Sequence, residues 1–173
     1  MNGALHWICF DGEKGSILYF QFESETFHYF FLPGLLEDEI NDTKNITMGE
    51  LEGSLYICDS SCLDTPVRMW IMEEYGDEES WTKVFSINTM NRFGWPYGGL
   101  YWPVKHFKSN DAILMYHSSN CFIYYEITKL RFKCFKIHGT QCKLEAISHT
   151  PSLISLKDLV NGGNLKVMNI DSR

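Results

Sequence analysis

The chain has 173 residues, enough for one domain that buries roughly 70% of its unfolded surface and too few to favour a second. Its net charge of -7 excludes a general electrostatic grip on a polyanion, so nucleic acid is not an expected partner. Apolar residues at 45% and aromatics at 15% describe a globular chain biased toward strands.

The N-terminal stretch "MNGALHWICFDGEKG" has no basic start, and Asp11 interrupts its apolar run early. It is expected to be neither a signal peptide nor a membrane anchor, which predicts a cytoplasmic or nuclear protein with no membrane partner. Six cysteines (Cys9, Cys58, Cys62, Cys121, Cys134, Cys142) are irregularly spaced and read as small buried hydrophobes in a reducing compartment. Cys58 and Cys62 lack a nearby His pair, so no metal or other cofactor is expected.

Three pairs of apolar, β-rich runs follow along the chain, each joined by a short polar turn. "SILYFQF" and "TFHYFF" flank Glu23-Ser24-Glu25, "VRMWIMEEY" and "WTKVFSI" flank Gly76 to Ser80, and "AILMYH" and "CFIYYEI" flank Ser118-Ser119-Asn120. Such spacing predicts hairpins. In the middle pair, Met69 and Ile71 oppose Trp70 and Met72, so both faces are apolar and the strand is expected to be interior. In its partner, the two-residue period places Trp81, Phe85 and Ile87 on one face. A helix is disfavoured by Gly76 in mid-segment. The acids Glu73, Glu74, Asp77, Glu78 and Glu79 then form a solvated turn without the spacing of a calcium loop.

Each pair has an opening of the form Gly, one residue, Leu, then His or Tyr: "GALHWI" at Gly3, "GSLYIC" at Gly53 and "GGLYWP" at Gly98. A repeat of 45 to 50 residues matches propeller blades, with a β-sandwich as the competing architecture. The expected fold is all-β, an antiparallel propeller of about three blades plus a remnant in an incomplete ring. Residues 1–160 form the β domain and residues 161–173 a flexible C-terminal tail. Between the first two units, "PGLLEDEINDTKNITMG" reads as a long connection with room for a helical turn at Leu35 to Ile40.

Chemistry is not written into the chain. There is no G-x-S-x-G elbow, no Gly-rich phosphate loop and no H-E-x-x-H pair, and the six histidines are scattered singly. No catalytic residue is assigned. "RFGWPYGGLYWPVKHF", from Arg92 to Phe107, sets aromatic rings among prolines and glycines and admits two readings. Arg92, Trp95, Tyr97 and Trp102 are partner-binding anchors on a loop, with Trp95 and Tyr97 partly exposed, or the rings fill the space between blades.

The motifs "LHWI", "LEGSLYI", "VRMWIMEEYGDEESWTKVFSI", "FKIHG" and "HTPSLISL" resemble the F-box-associated domain of plant F-box proteins, including the S-locus type. The most specific part is Trp70-Ile71-Met72-Glu73-Glu74-Tyr75-Gly76 followed by Glu79-Ser80-Trp81-Thr82-Lys83. The resemblance implies a kelch-like, non-catalytic substrate-recognition domain of an SCF-type ubiquitin ligase that binds a protein destined for ubiquitination. No F-box precedes Gly3 here, so a Skp-type adaptor is expected as a partner only if an upstream F-box exists in the full product. The alternative function is a small-ligand or carbohydrate-binding propeller fragment, which would need a concave site pairing an aromatic ring with carboxylates or amides. An open arc with apolar edges is also expected to associate with itself or with a partner.

Overall fold

A computed structural model of the chain describes residues 3–11, 14–33, 45–60, 66–89, 93–96, 98–137 and 139. The helical turn expected at Leu35 to Ile40, the remnant beyond the third unit, the tail at 161–173, Arg92, Tyr97, Cys62 and Cys142 lie outside the described residues.

Eleven strands carry the described residues, with no α-helix among them. Strands β1 (Ala4–Asp11), β2 (Lys14–Gln21) and β3 (Thr26–Phe31) form the first sheet. Strands β4 (Ile46–Leu51), β5 (Ser54–Asp59), β6 (Val67–Met72) and β7 (Trp81–Ile87) form the second. Strands β8 (Tyr101–Phe107), β9 (Ala112–His117), β10 (Cys121–Glu126) and β11 (Arg131–Lys136) form the third. Each sheet is an antiparallel meander in chain order, as in propeller blades, and the three hairpins sit where their polar turns place them.

Sheet-on-sheet packing explains the apolar content. Leu55, Ile57, Trp70 and Met72 of the second sheet bury against Ile17, Phe30 and Leu32 on the first-sheet side. On its other face, Tyr56, Cys58, Met69, Phe85 and Ile87 join Tyr101, Ile113, Met115, Ile123 and Tyr125 of the third. Strand β6 is therefore interior on both faces, which is why "VRMWIM" does not alternate with polar residues. Near the inner edge, Thr47 Oγ1 of β4 donates to the Tyr101 carbonyl of β8 at 2.5 Å.

Two expectations need correction. Trp81 does not share a face with Phe85 and Ile87. Trp81 pairs with Met72 and Lys83 with Trp70, but Phe85 pairs with Met69, so the register shifts between Met69 and Trp70. One extra residue in β7 reverses the side-chain parity, sending Trp81 toward the first sheet and Phe85 toward the third. The third glycine opening is also out of phase. Gly3 (φ 61°) and Gly53 (φ 88°) both lead into equivalent strands, β1 and β5, whereas Gly98 precedes β8, the first strand of its sheet. The equivalent of Gly53 in the third sheet is Asp111, with φ 47°, ahead of β9. By this alignment β1, β2 and β3 match β5, β6 and β7, and the first sheet has no counterpart of β4 among the described residues.

Candidate partner-binding surfaces

The aromatic loop between the second and third sheets is built inward. Trp95 is only 6% exposed and donates from Nε1 to Tyr101 Oη at 2.9 Å, while that hydroxyl donates to the Pro96 carbonyl at 3.0 Å. Its indole meets Phe132 edge-on at 4.8 Å and Tyr125 at 5.8 Å between ring centres. Burial pushes the Tyr101 hydroxyl up to about 12, against the opposing pull of its bond to Trp95, so it stays a donor. The partial exposure expected of Trp95 is thus corrected. The indole satisfies both its apolar body and its N–H inside the core, which a Pro- and Gly-punctuated loop allows by folding back. Trp102 is half-buried on the far face of the third sheet, 5.7 Å from the Tyr116 ring, and is not brought to Trp95.

His117 pins the same loop. It is 2% exposed, its Nε2–H donates to the Gly98 carbonyl at 2.6 Å, and its Nδ1 accepts from the Ser119 backbone N–H at 3.1 Å. A carbonyl can only accept and an amide N–H can only donate, so the geometry fixes one neutral tautomer. Burial holds its pKa below the ordinary 6.5, partly offset by the Gly98 bond. The loop around Gly99 is equally tight, since a Cβ there would sit 2.3 Å from Ser118 Oγ.

What the same loop exposes is Phe93, wholly open to solvent beside Gly94. Sequence reasoning overlooked it in favour of the larger indole two residues on, and the signal available was its place next to Arg92 and Gly94 at the loop's start. Phe93, Phe132, Cys134 and Lys136 border a concavity of about 700 Å³.

A second concavity of about 400 Å³ lies on the rim between the second and third sheets, with Glu52, Glu73, Thr82, His106 and Lys108 among its walls. Lys105 and Lys108 approach the Glu52 carboxylate at 3.8 and 3.9 Å. Among the described residues, this rim has carboxylates without a Phe, Tyr or Trp platform, and the Phe93 concavity has rings without a carboxylate or side-chain amide.

The acidic turn does more than solvate. Glu78 Oε1 accepts from the Phe31 backbone N–H at 2.9 Å, tying the second sheet to the last strand of the first. Tyr75 Oη lies 2.7 Å from His6 Nε2 and packs edge-on against His6, Tyr19 and Phe30. Trp70 is 2% exposed beneath Arg68 and Lys83, whose charged ends sit 5.7 and 5.6 Å from its ring centre. The tryptophan-to-glycine motif is therefore a joint between sheets rather than a ligand site.

No nucleophile emerges among the described cysteines with shifted thiols. Burial drives the Cys58 thiol far up, with the Asp59 charge adding to it. Burial, reinforced by hydrogen bonding to Cys121, pushes Cys134 to about 11. Neither is a thiolate near neutral pH. Among the described residues, no group of three or more His, Cys, Asp and Glu side chains is placed to hold a metal ion.

The model of the F-box associated beta propeller domain matches residues 1–156. The chain belongs to that family. No curated protein and no solved structure matches it. F-box associated domains serve substrate recognition in F-box proteins and are not typically catalytic. In this F-box associated domain, the most specific motif lies in the joint between the first two blades, and the solvent-facing aromatics lie elsewhere.

Proposed function

We propose that this domain is the substrate-recognition part of an SCF-type ubiquitin ligase receptor of the plant S-locus F-box-like kind, and that it acts without catalysis of its own. The family match over residues 1–156 carries this reading. Phe93 on its hydrogen-bonded loop supplies the local geometry, with Arg92 and Tyr97 beside it in sequence and Trp102 as a further proposed contact. A large exposed ring offers apolar area for a partner to bury. The partner is a protein destined for ubiquitination, reached in the cytoplasm or nucleus. A Skp-type adaptor would dock on an F-box helical segment, and the described residues hold no α-helix. The carbohydrate alternative is less well supported, because among the described residues neither concavity pairs a Phe, Tyr or Trp ring with carboxylates or side-chain amides.

The test joins an F-box segment to the chain, expresses it in cells, and compares the proteome with that of cells carrying the Phe93→Ala, Arg92→Ala version. Proteins whose proteasome-dependent loss occurs with the first and not the second are the expected clients. Identical proteomes, with both fusions bound to the adaptor, would contradict the reading.

A further inference from the structure

The third sheet ends on a strand unlike the last strands of the other two. In the order β11-β10-β9-β8, the far side of β11 pairs with no described strand. Strand β11 carries Arg131, Lys133 and Lys136 and no acid, whereas β3 and β7 carry between them one lysine, Lys83. Arg131, Lys133, Phe135 and Lys136 are all exposed, and Glu126 across the hairpin is already taken by Lys129. A local positive strip on a chain of net charge -7 steers an acidic partner to one place.

Register fixes which groups that strand offers. The Ile137 N–H donates to the Asn120 carbonyl at 2.9 Å, so Ile137 is turned toward β10, and the unbroken pairing turns Phe135, Lys133 and Arg131 the same way. The backbone N–H and C=O groups of Phe132, Cys134 and Lys136 therefore point off the free edge. Their side chains share the face of Tyr125, Ile123 and Cys121, which packs toward the second sheet, and all three border the Phe93 concavity of about 700 Å³. Arg131, Lys133 and Phe135 occupy the opposite face, paired with Glu126, Tyr124 and Phe122.

The molecule itself shows what an outward N–H of this kind attracts. Leu32 N–H donates to the Gly15 carbonyl at 3.2 Å, which turns Phe31 off the free edge of β3. The Phe31 N–H takes the Glu78 carboxylate of the next sheet at 2.9 Å. No described residue plays that part for Phe132, Cys134 or Lys136.

We propose that the client segment read by this domain is an extended strand of alternating apolar and acidic residues, which pairs antiparallel with the free edge of β11. Its apolar residues lie on the face of Phe132 and Cys134, where they reach Phe93, and its acids lie on the face of Arg131 and Lys133. This deepens the recognition reading above and rests on it. Main-chain pairing supplies affinity, and the two differently lined faces supply selection.

The probe is a synthetic peptide, acetyl-Glu-Leu-Glu-Val-Glu-Leu-Glu-amide, titrated into the full chain by calorimetry. Binding is expected. Arg131→Glu with Lys133→Glu should weaken it about tenfold or more, and Phe93→Ala severalfold, both at unchanged melting temperature. A peptide of the same composition with its three apolar residues adjacent should also bind about tenfold more weakly. N-methylation leaves the protein untouched and separates strand pairing from charge alone. In the antiparallel pair the peptide's Leu and Val N–H groups face β11 and its Glu N–H groups face solvent, so methylating the first set should abolish binding and methylating the second should spare it. No binding at about 1 mM peptide, or equal binding of the rearranged peptide or of the Arg131→Glu, Lys133→Glu variant, would overturn the inference. So would slow amide exchange at Phe132, Cys134 and Lys136 in the free chain, which would mean that the edge is already paired. Client loss in cells that depends on Phe93 and Arg92, with the alternating peptide unbound, would overturn it and leave the recognition reading standing.

Discussion

The loop around Trp95 and the outer face of the first sheet are both dense in aromatic rings, yet they end in opposite places. Trp95 is inside, its N–H bonded to Tyr101 and its ring against Phe132, whereas Phe27 and Tyr29 stand more than half in solvent. The difference is one of layering. A ring near the middle sheet finds apolar walls on both sides, and a ring on the unstacked face of an end sheet finds one. Aromatic content therefore says that a segment wants burial, and the order of sheets decides whether it obtains it.

That comparison can be broken most forcefully at Trp95. Replacing it with Ala should destabilise the domain by about 3 to 5 kcal/mol through the cavity and the lost indole hydrogen bond to Tyr101, read as a denaturant midpoint moving at constant slope. Trp70→Ala should cost a similar amount at the first joint. A small loss at either would mean that these rings are not core.

A pH experiment sharpens the picture of the pinned loop. His117 has a folded pKa lowered chiefly by burial, so the unfolded chain binds the proton more readily. Its contribution to stability is complete above about 6.5 and is lost as pH falls through the lower folded value. His6, lowered first by burial, acts with the same sign. Melting temperature is expected to fall on acidification below pH 6.5, and His117→Gln should flatten that fall without abolishing it. A wild-type profile that is flat in this range would contradict the buried neutral tautomer.

Smaller effects mark the opposite pole. Glu78→Ala removes the cap on the Phe31 N–H and should cost about 1 kcal/mol, felt as faster amide exchange at the edge of β3. Phe27→Ser with Tyr29→Ser should leave monomer stability within about 0.5 kcal/mol, since these side chains lose little burial on unfolding. If instead that pair costs as much as Trp95→Ala, something in the chain already covers the face.

Much of the architecture could be read from the chain. Period-two runs and short polar turns located the three hairpins, and the doubly apolar "VRMWIM" marked the middle of the stack. The parity of Trp81 could not be read, because the register shift opposite Met69 and Trp70 is a tertiary event with no local sequence cost. The phase of the third glycine opening failed for a related reason. A turn followed by an alternating strand looks alike wherever it occurs in a sheet, and Asp111 takes the left-handed role that Gly53 plays elsewhere. The burial of Trp95 could not be read either, since "FGWPYG" gives no sign of which ring meets Tyr101 and which meets water.

Hydroxyl-radical footprinting of the dilute native chain, reading oxidation at Trp7 and Trp95 in the same sample, tests the contrast most directly. Trp7 is expected to oxidise quickly, while Trp95 stays protected throughout. Oxidation of Trp95 as fast as Trp7 in the folded protein would contradict the account.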